Sequence, residues 1–129
     1  RQIYYYHNNA FSATQQYREN FPEEIRKLLE LYRREIADWP EEDKPLLSAA
    51  EIEYFTILMR IYVFAASEER CRANYRETVR EPEWRQAFHD VRLRDVHGRY
   101  RLTAALGKVG AWELLYRLFD GYHARRREN

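Results

Sequence analysis

Four histidines, one cysteine and a few adjacent carboxylates are the side chains of this 129-residue chain that could do chemistry. Neutral imidazole binds metals and moves protons near neutral pH, which makes His7, His89, His97 and His123 the first candidates. No two of them stand at a metal-ligand spacing such as His-x3-His, and the last three are expected to be surface or half-buried residues. Cys71 has no activating neighbour beyond Arg70 and Arg72, so it reads as a structural residue rather than a nucleophile. Glu23-Glu24 and Glu41-Glu42-Asp43 would suit acid–base work as paired carboxylates, but a helix start and a linker favour a solvated role for them. The glycines, Gly98, Gly107, Gly110 and Gly121, are scattered and form no loop that could cradle a phosphate.

The elements that must position these groups are mostly helical. Ile3-Tyr4-Tyr5-Tyr6 has the composition of a buried strand, and Asn8-Asn9 is a turn signal that ends it. A lone strand has nothing to pair with, so residues 1–18 are expected to be an extended arm that completes the sheet of an upstream domain. Residues 19–129 are expected to form a helical domain. Asn20-Phe21-Pro22-Glu23-Glu24 is a helix start, with Asn20 as cap, and the helix should run to about Trp39 before Pro40 stops it. After the connector Glu41 to Pro45, Ser48 and Glu51 have capping-box spacing and open the most hydrophobic segment, Ile52 to Ala66. Its apolar residues lie on nearly every face, as in a central helix, with Arg60 as the interruption.

Ser67-Glu68-Glu69 either starts a new helix or continues the old one through Val79. Glu81-Pro82 starts a short helix to about Val91, and His97-Gly98 marks a loop. Leu102 to Ala124 carries a broad apolar stripe that Gly107 and Gly110 weaken by up to about 1 kcal/mol each, so a break there is expected. The fold class is therefore all-α, an irregular bundle of about five or six helices around Ile52 to Ala66 with an extended N-terminal arm.

Composition narrows the function classes. With 45% apolar and 16% aromatic residues the chain is no disordered tail, and 33% charged residues imply a well-solvated surface. A net charge of +1 gives no bulk argument for nucleic acid. Residues 1–66 carry 8 basic and 11 acidic side chains, against 14 and 10 in residues 67–129, so the positive excess sits toward the C-terminus. A single cysteine precludes an intrachain disulfide and fits a reducing, cytoplasmic compartment. No stretch approaches the ~18 consecutive apolar residues of a membrane span.

The Tyr-Tyr-Tyr strand, the Asn-containing turn and the Ser12-x-Thr14 that follows resemble the segment closing the catalytic domain of bacterial family 2 glycosyltransferases, where the chain enters a helical C-terminal extension. The helical, aromatic and Arg-rich style of residues 15–129 suits such an extension. The resemblance implies a parent enzyme that transfers a sugar from a nucleotide-diphosphate donor, with a divalent metal (Mg or Mn), to a cell-envelope polysaccharide or glycolipid acceptor. It further implies that His7, with Ser12 and Thr14, contributes to the donor site. The chain departs from the family in having Tyr6-His7 where Arg often follows the tyrosines. The family's Asp-x-Asp and Glu-Asp motifs have no counterpart here, so this segment alone is expected to be catalytically inert, with the upstream catalytic domain as its first partner.

The last segment has two readings. Leu114, Leu115, Leu118 and Phe119 beside Arg117 and Arg125, Arg126 and Arg127 resemble an interfacial helix that would rest on an anionic membrane and place the protein at the inner face of that membrane. Trp112, Leu115, Leu118 and Phe119 equally suit bundle packing or oligomerisation, and a homodimer through this helix or through the arm is a partner expectation. Arg70, Arg72, Arg76 and Arg80, then Arg92, Arg94, Arg99 and Arg101 with Tyr100, could track phosphates. Interspersed Glu68, Glu69, Glu77, Glu81 and Glu83 explain that pattern more simply as surface ion pairing, so nucleic acid is not the expected partner. The alternative to the glycosyltransferase extension is a free-standing helical interaction or oligomerisation module.

Overall fold

The structure, a computed structural model, describes residues 19–128, with side chains to His123. The described residues form six α-helices and no strand, the all-α class expected. The arm proposed for residues 1–18 lies outside the described residues.

Helix α1, Phe21–Glu35, places Phe21, Ile25, Leu29 and Tyr32 on one face, and all are buried. Pro22 sits in its first turn, where no N–H is needed, and Glu23 and Glu24 face the positive end of the helix dipole. Asn20 occupies the cap position, but its side chain makes no capping bond. The helix ends at Glu35 rather than near Trp39. Ala37 N–H donates to Arg34 O and Trp39 N–H to Ile36 O, so the last turn tightens before Pro40, whose ring disfavours helical geometry in the preceding residue.

Helix α2, Pro45–Leu58, begins three residues before the expected capping box. Pro45 occupies its first turn, and a 3-10 turn at Glu41–Asp43 leads into it. Ser48 and Glu51 are therefore interior and buried instead of capping. The chain then continues as a π-helical turn, Met59–Val63, with Phe64 N–H donating to Met59 O at 2.8 Å. Together α2 and the π turn form the central element, with Ile52, Tyr54, Phe55, Leu58, Met59 and Ile61 at or below 1% exposure. Burial of each such side chain is worth roughly 1.5–3 kcal/mol.

Ser67 opens helix α3, Glu68–Arg80, with its carbonyl accepting from Arg70 and Cys71 N–H, so the chain restarts here rather than running through. Glu81, extended at φ −67°, ψ 126°, closes α3 and opens α4, Pro82–Asp90. After 3-10 turns at Leu93–Asp95 and Gly98–Tyr100 come α5, Arg101–Lys108, and α6, Trp112–Glu128. The expected break between the glycines is a Schellman motif. Gly110 takes φ +74°, Ala111 N–H reaches back to Leu106 O at 2.9 Å and Gly110 N–H to Gly107 O at 3.1 Å.

Helices α1, α3 and α4 pack on the central element, and α5 and α6 close the far side. Phe55 is the hub: its ring meets Phe88 of α4 edge-on at 5.0 Å, Trp84 at 5.5 Å and Phe119 of α6 at 6.4 Å. Two ion pairs tie α1 to its neighbours, Arg33 to Glu51 at 2.8 Å and Arg26 to Glu81 at 3.2 Å. Burial pushes the Glu51 carboxyl above its usual value even though Arg33 opposes the shift.

Candidate functional site

The central element is also where the surface opens. Glu53, Ile57 and Arg60 recur at four- and three-residue spacing, so they share one face of α2 and of the π turn that follows it. The 3-10 turn at Gly98–Tyr100 and the start of α5 bring Arg99, Tyr100, Leu102 and Thr103 opposite them, and Leu118, Phe119, Tyr122 and His123 of α6 form the third wall. The result is a cleft of about 440 Å³, within the roughly 300–1,000 Å³ usual for small-molecule sites.

Each wall has a reason to stay in place. Thr56 Oγ1 donates to Ile52 O at 3.1 Å, holding the α2 side of the cleft to its own backbone. Arg101 Nε donates to Val96 O at 3.1 Å and fixes the turn that carries Arg99. His123 lies flat on Phe64, with ring centroids 4.8 Å apart, and so anchors the lower part of α6 to the end of the π turn. Thr103 and Phe119 are buried, whereas Leu102 at 56% and Tyr122 at 54% exposure form the rim.

Charge is concentrated on one feature. Two arginines, Arg60 and Arg99, line the cleft with a single acidic residue, Glu53, and the Arg99 guanidinium sits 5.4 Å from the Tyr100 ring. Arg60 Nε is buried and makes no hydrogen bond among the described residues. A buried donor left without a partner costs about 1–3 kcal/mol, more in a charged group, and such groups are rare in folded proteins. Arg60 emerges from a π turn, a geometry that is frequent at functional sites.

A second polar cluster joins α3 to α6. Cys71 Sγ lies 3.4 Å from Tyr116 Oη, the Arg72 guanidinium sits 3.9 Å above the Tyr116 ring and pairs with Glu113 at 2.7 Å, and Tyr75 Oη donates to Trp112 O at 2.6 Å. Burial pushes both phenols up, Tyr116 to about 12 and Tyr75 further. Held this way, the two phenols tie α3 to α6, and the Cys71 thiol is buried beside Tyr116.

The residues proposed from sequence are distributed as follows. His7, Ser12 and Thr14 lie outside the described residues, as do the side chains of Arg125, Arg126 and Arg127. Of the α6 stripe, Leu115 and Phe119 turn into the core at 0% and 6% exposure and Trp112 is half-buried, which leaves Leu118 as the member on the surface. The exposed edge of the helix runs instead through Leu114, Leu118 and Tyr122, because the apolar stripe is broad enough to have an inner and an outer flank. His89 is exposed beside Asp90 Oδ1 at 3.1 Å, and His97 Nδ1 accepts from Arg99 N–H. Several basic-run arginines are paired: Arg70 with Glu19 at 3.5 Å, Arg72 with Glu113 and Arg92 with Asp95 at 2.6 Å.

Among the described residues no three His, Cys, Asp or Glu side chains converge as a metal site, so the divalent cation implied for the parent enzyme finds no ligand set in them. No helix of the described residues is long and apolar enough to cross a membrane. Comparison with protein-family models, with curated proteins and with solved structures finds no match to this chain.

Proposed function

We propose that this chain is a helical binding domain serving as the C-terminal accessory domain of a family 2, nucleotide-diphosphosugar glycosyltransferase that acts on a cell-envelope polysaccharide or glycolipid acceptor. The cleft between α2, the Gly98–Tyr100 turn and α6 is its working face, on the acceptor side, and the domain supplies binding rather than bond making. One observation carries the binding role: a cleft of about 440 Å³ lined by Arg60 and Arg99 beside leucine and aromatic side chains. The resemblance of Ile3 to Thr14 to the end of a catalytic domain carries the link to sugar transfer. The donor site and its metal belong, in this reading, to the upstream catalytic domain, with His7, Ser12 and Thr14 at its border.

The test is to read the coding sequence upstream of Arg1 and to assay the complete protein. An Asp-x-Asp element and a nucleotide-binding sheet pattern, with transfer activity that Arg60→Met lowers through acceptor KM, support the proposal. Translation starting immediately before Arg1 refutes it.

A specific observation favours a second reading, a helical oligomerisation module. Leu114, Leu118 and Tyr122 repeat every four residues along α6 at 57%, 37% and 54% exposure, an apolar edge suited to a second copy of the helix. Sedimentation equilibrium that gives a dimer, dissociated by Leu114→Glu, supports that reading, whereas a monomer at all concentrations removes it.

A further inference from the structure

The arginines that hold this fold together are paired. Arg33 meets Glu51 at 2.8 Å, Arg72 meets Glu113 at 2.7 Å, Arg92 meets Asp95 at 2.6 Å and Arg26 meets Glu81 at 3.2 Å. Arg60 breaks the rule in the place where it is most costly, on the central element, with Nε out of reach of water and of any acceptor among the described residues. Nothing in the described fold engages that Nε, and the same side chain lines the cleft.

We propose that the cleft binds a small amphipathic organic anion, with a singly charged head on Arg60 and Arg99 and an apolar body along Ile57, Leu102, Leu118 and Phe119. The head is set by the guanidinium, whose fork of N–H donors matches a carboxylate or a comparable oxyanion in two parallel hydrogen bonds. The single charge is set by Glu53, which shares the cleft and opposes a doubly charged head, so that two cations face one anion before a ligand arrives. The apolar body is set by the walls, because leucine and aromatic side chains flank the arginines on both sides and Leu102, at 56% exposure, gains by being covered. Residues 1–18 carry two arginines and no carboxylate, so that segment offers the cleft arginines no opposite charge, as a small external anion would.

This inference rests on the cleft being the binding face named above, and the test separates the two. Isothermal titration of the chain uses octanoate, acetate, octanol and octylammonium, which present the whole ligand, the head alone, the body alone and the opposite charge. Octanoate is expected to bind one to one, at least tenfold more tightly than any of the other three. Arg60→Met is expected to weaken octanoate at least tenfold. Leu102→Glu, an exposed rim change that leaves the core untouched, is expected to do the same and serves if Arg60→Met does not fold. Failure of octanoate to bind at millimolar concentration, octanol or octylammonium binding as well as octanoate, or unchanged affinity in the folded variants overturns the inference. Octanoate binding by a chain with no Asp-x-Asp element upstream upholds the inference and removes the glycosyltransferase reading, and the opposite pair of results does the reverse.

Discussion

Two glycines that look alike in sequence should respond to alanine with opposite sign. Both Gly107 and Gly121 lie inside helices, where alanine is favoured by about 1 kcal/mol through its lower conformational freedom. At Gly121 an added Cβ meets nothing within 4 Å, so Gly121→Ala should realise that gain and raise Tm by roughly 2–8 °C. At Gly107 the same methyl would overlap three ring carbons of Phe88. That ring has no exposed surface and no room to retreat, being held edge-on between Phe55 at 5.0 Å and Trp112 at 5.4 Å. Overpacking of this kind costs about 1–3 kcal/mol, and disturbing two aromatic pairs adds roughly 0.5–1.5 kcal/mol each. The losses exceed the gain, so Gly107→Ala should be less stable by about 1–5 kcal/mol. Urea denaturation followed by far-ultraviolet circular dichroism measures both, with the midpoint moving at constant slope. A Gly107→Ala protein as stable as the parent would refute the claim that glycine sets how closely α5 approaches α4.

The other predictions concern charged side chains. Arg60→Met keeps the side chain's apolar stem and removes an unbonded donor, so stability should hold or rise by about 1 kcal/mol; a clear fall in Tm would mean that Arg60 supports the π turn instead. Glu51 has its folded pKa raised above the 4.5 of an ordinary glutamate, so its stabilising contribution is complete below that value and is lost as pH climbs through the raised one. Glu51→Gln, whose amide oxygen still accepts from Arg33, should flatten that decline in a series of urea curves between mildly acidic and neutral pH, and an unchanged slope would dismiss Glu51 as its source. Lys108 Nζ donates to the carbonyls of His89 at 2.9 Å and Val91 at 2.6 Å, completing the C-terminal end of α4. Lys108→Met should cost about 1–3 kcal/mol, and faster amide exchange near Val91 should accompany it.

How far the fold could be read from sequence depended on whether the signal was local. Pro22 and Pro82 sit in first turns, as their chemistry suggests, and of Ile25, Leu28, Leu29, Tyr32 and Ile36, which follow helical spacing along α1, all but the half-buried Leu28 are buried. Ser48 with Glu51 satisfied a capping pattern, but Pro45 starts the helix earlier and Arg33, far away in sequence, claims the carboxylate. The stripe on α6 was visible, yet which flank faces inward depends on where Phe55 and Phe64 stand, which periodicity does not carry. The cleft was the least legible part. Its walls come from three separated segments, and its central residue registered only as an interruption in an apolar run. An arginine inside a helix that is hydrophobic on every side was the available signal.

The π turn has a consequence for lineage and engineering. A π turn accommodates one residue more than an α-helix would over the same rise, so Met59–Val63 behaves as a one-residue insertion retained in the middle of the central element. Each residue in a helix turns the chain by about 100°. The π turn absorbs that rotation, so deleting any one residue between 59 and 63 should restore plain α-helix and leave Phe64 close to its present register against His123 and Tyr116. Point substitutions in this region test side chains, whereas a single-codon deletion tests the bulge that carries Arg60 and leaves the helical segments on either side in register.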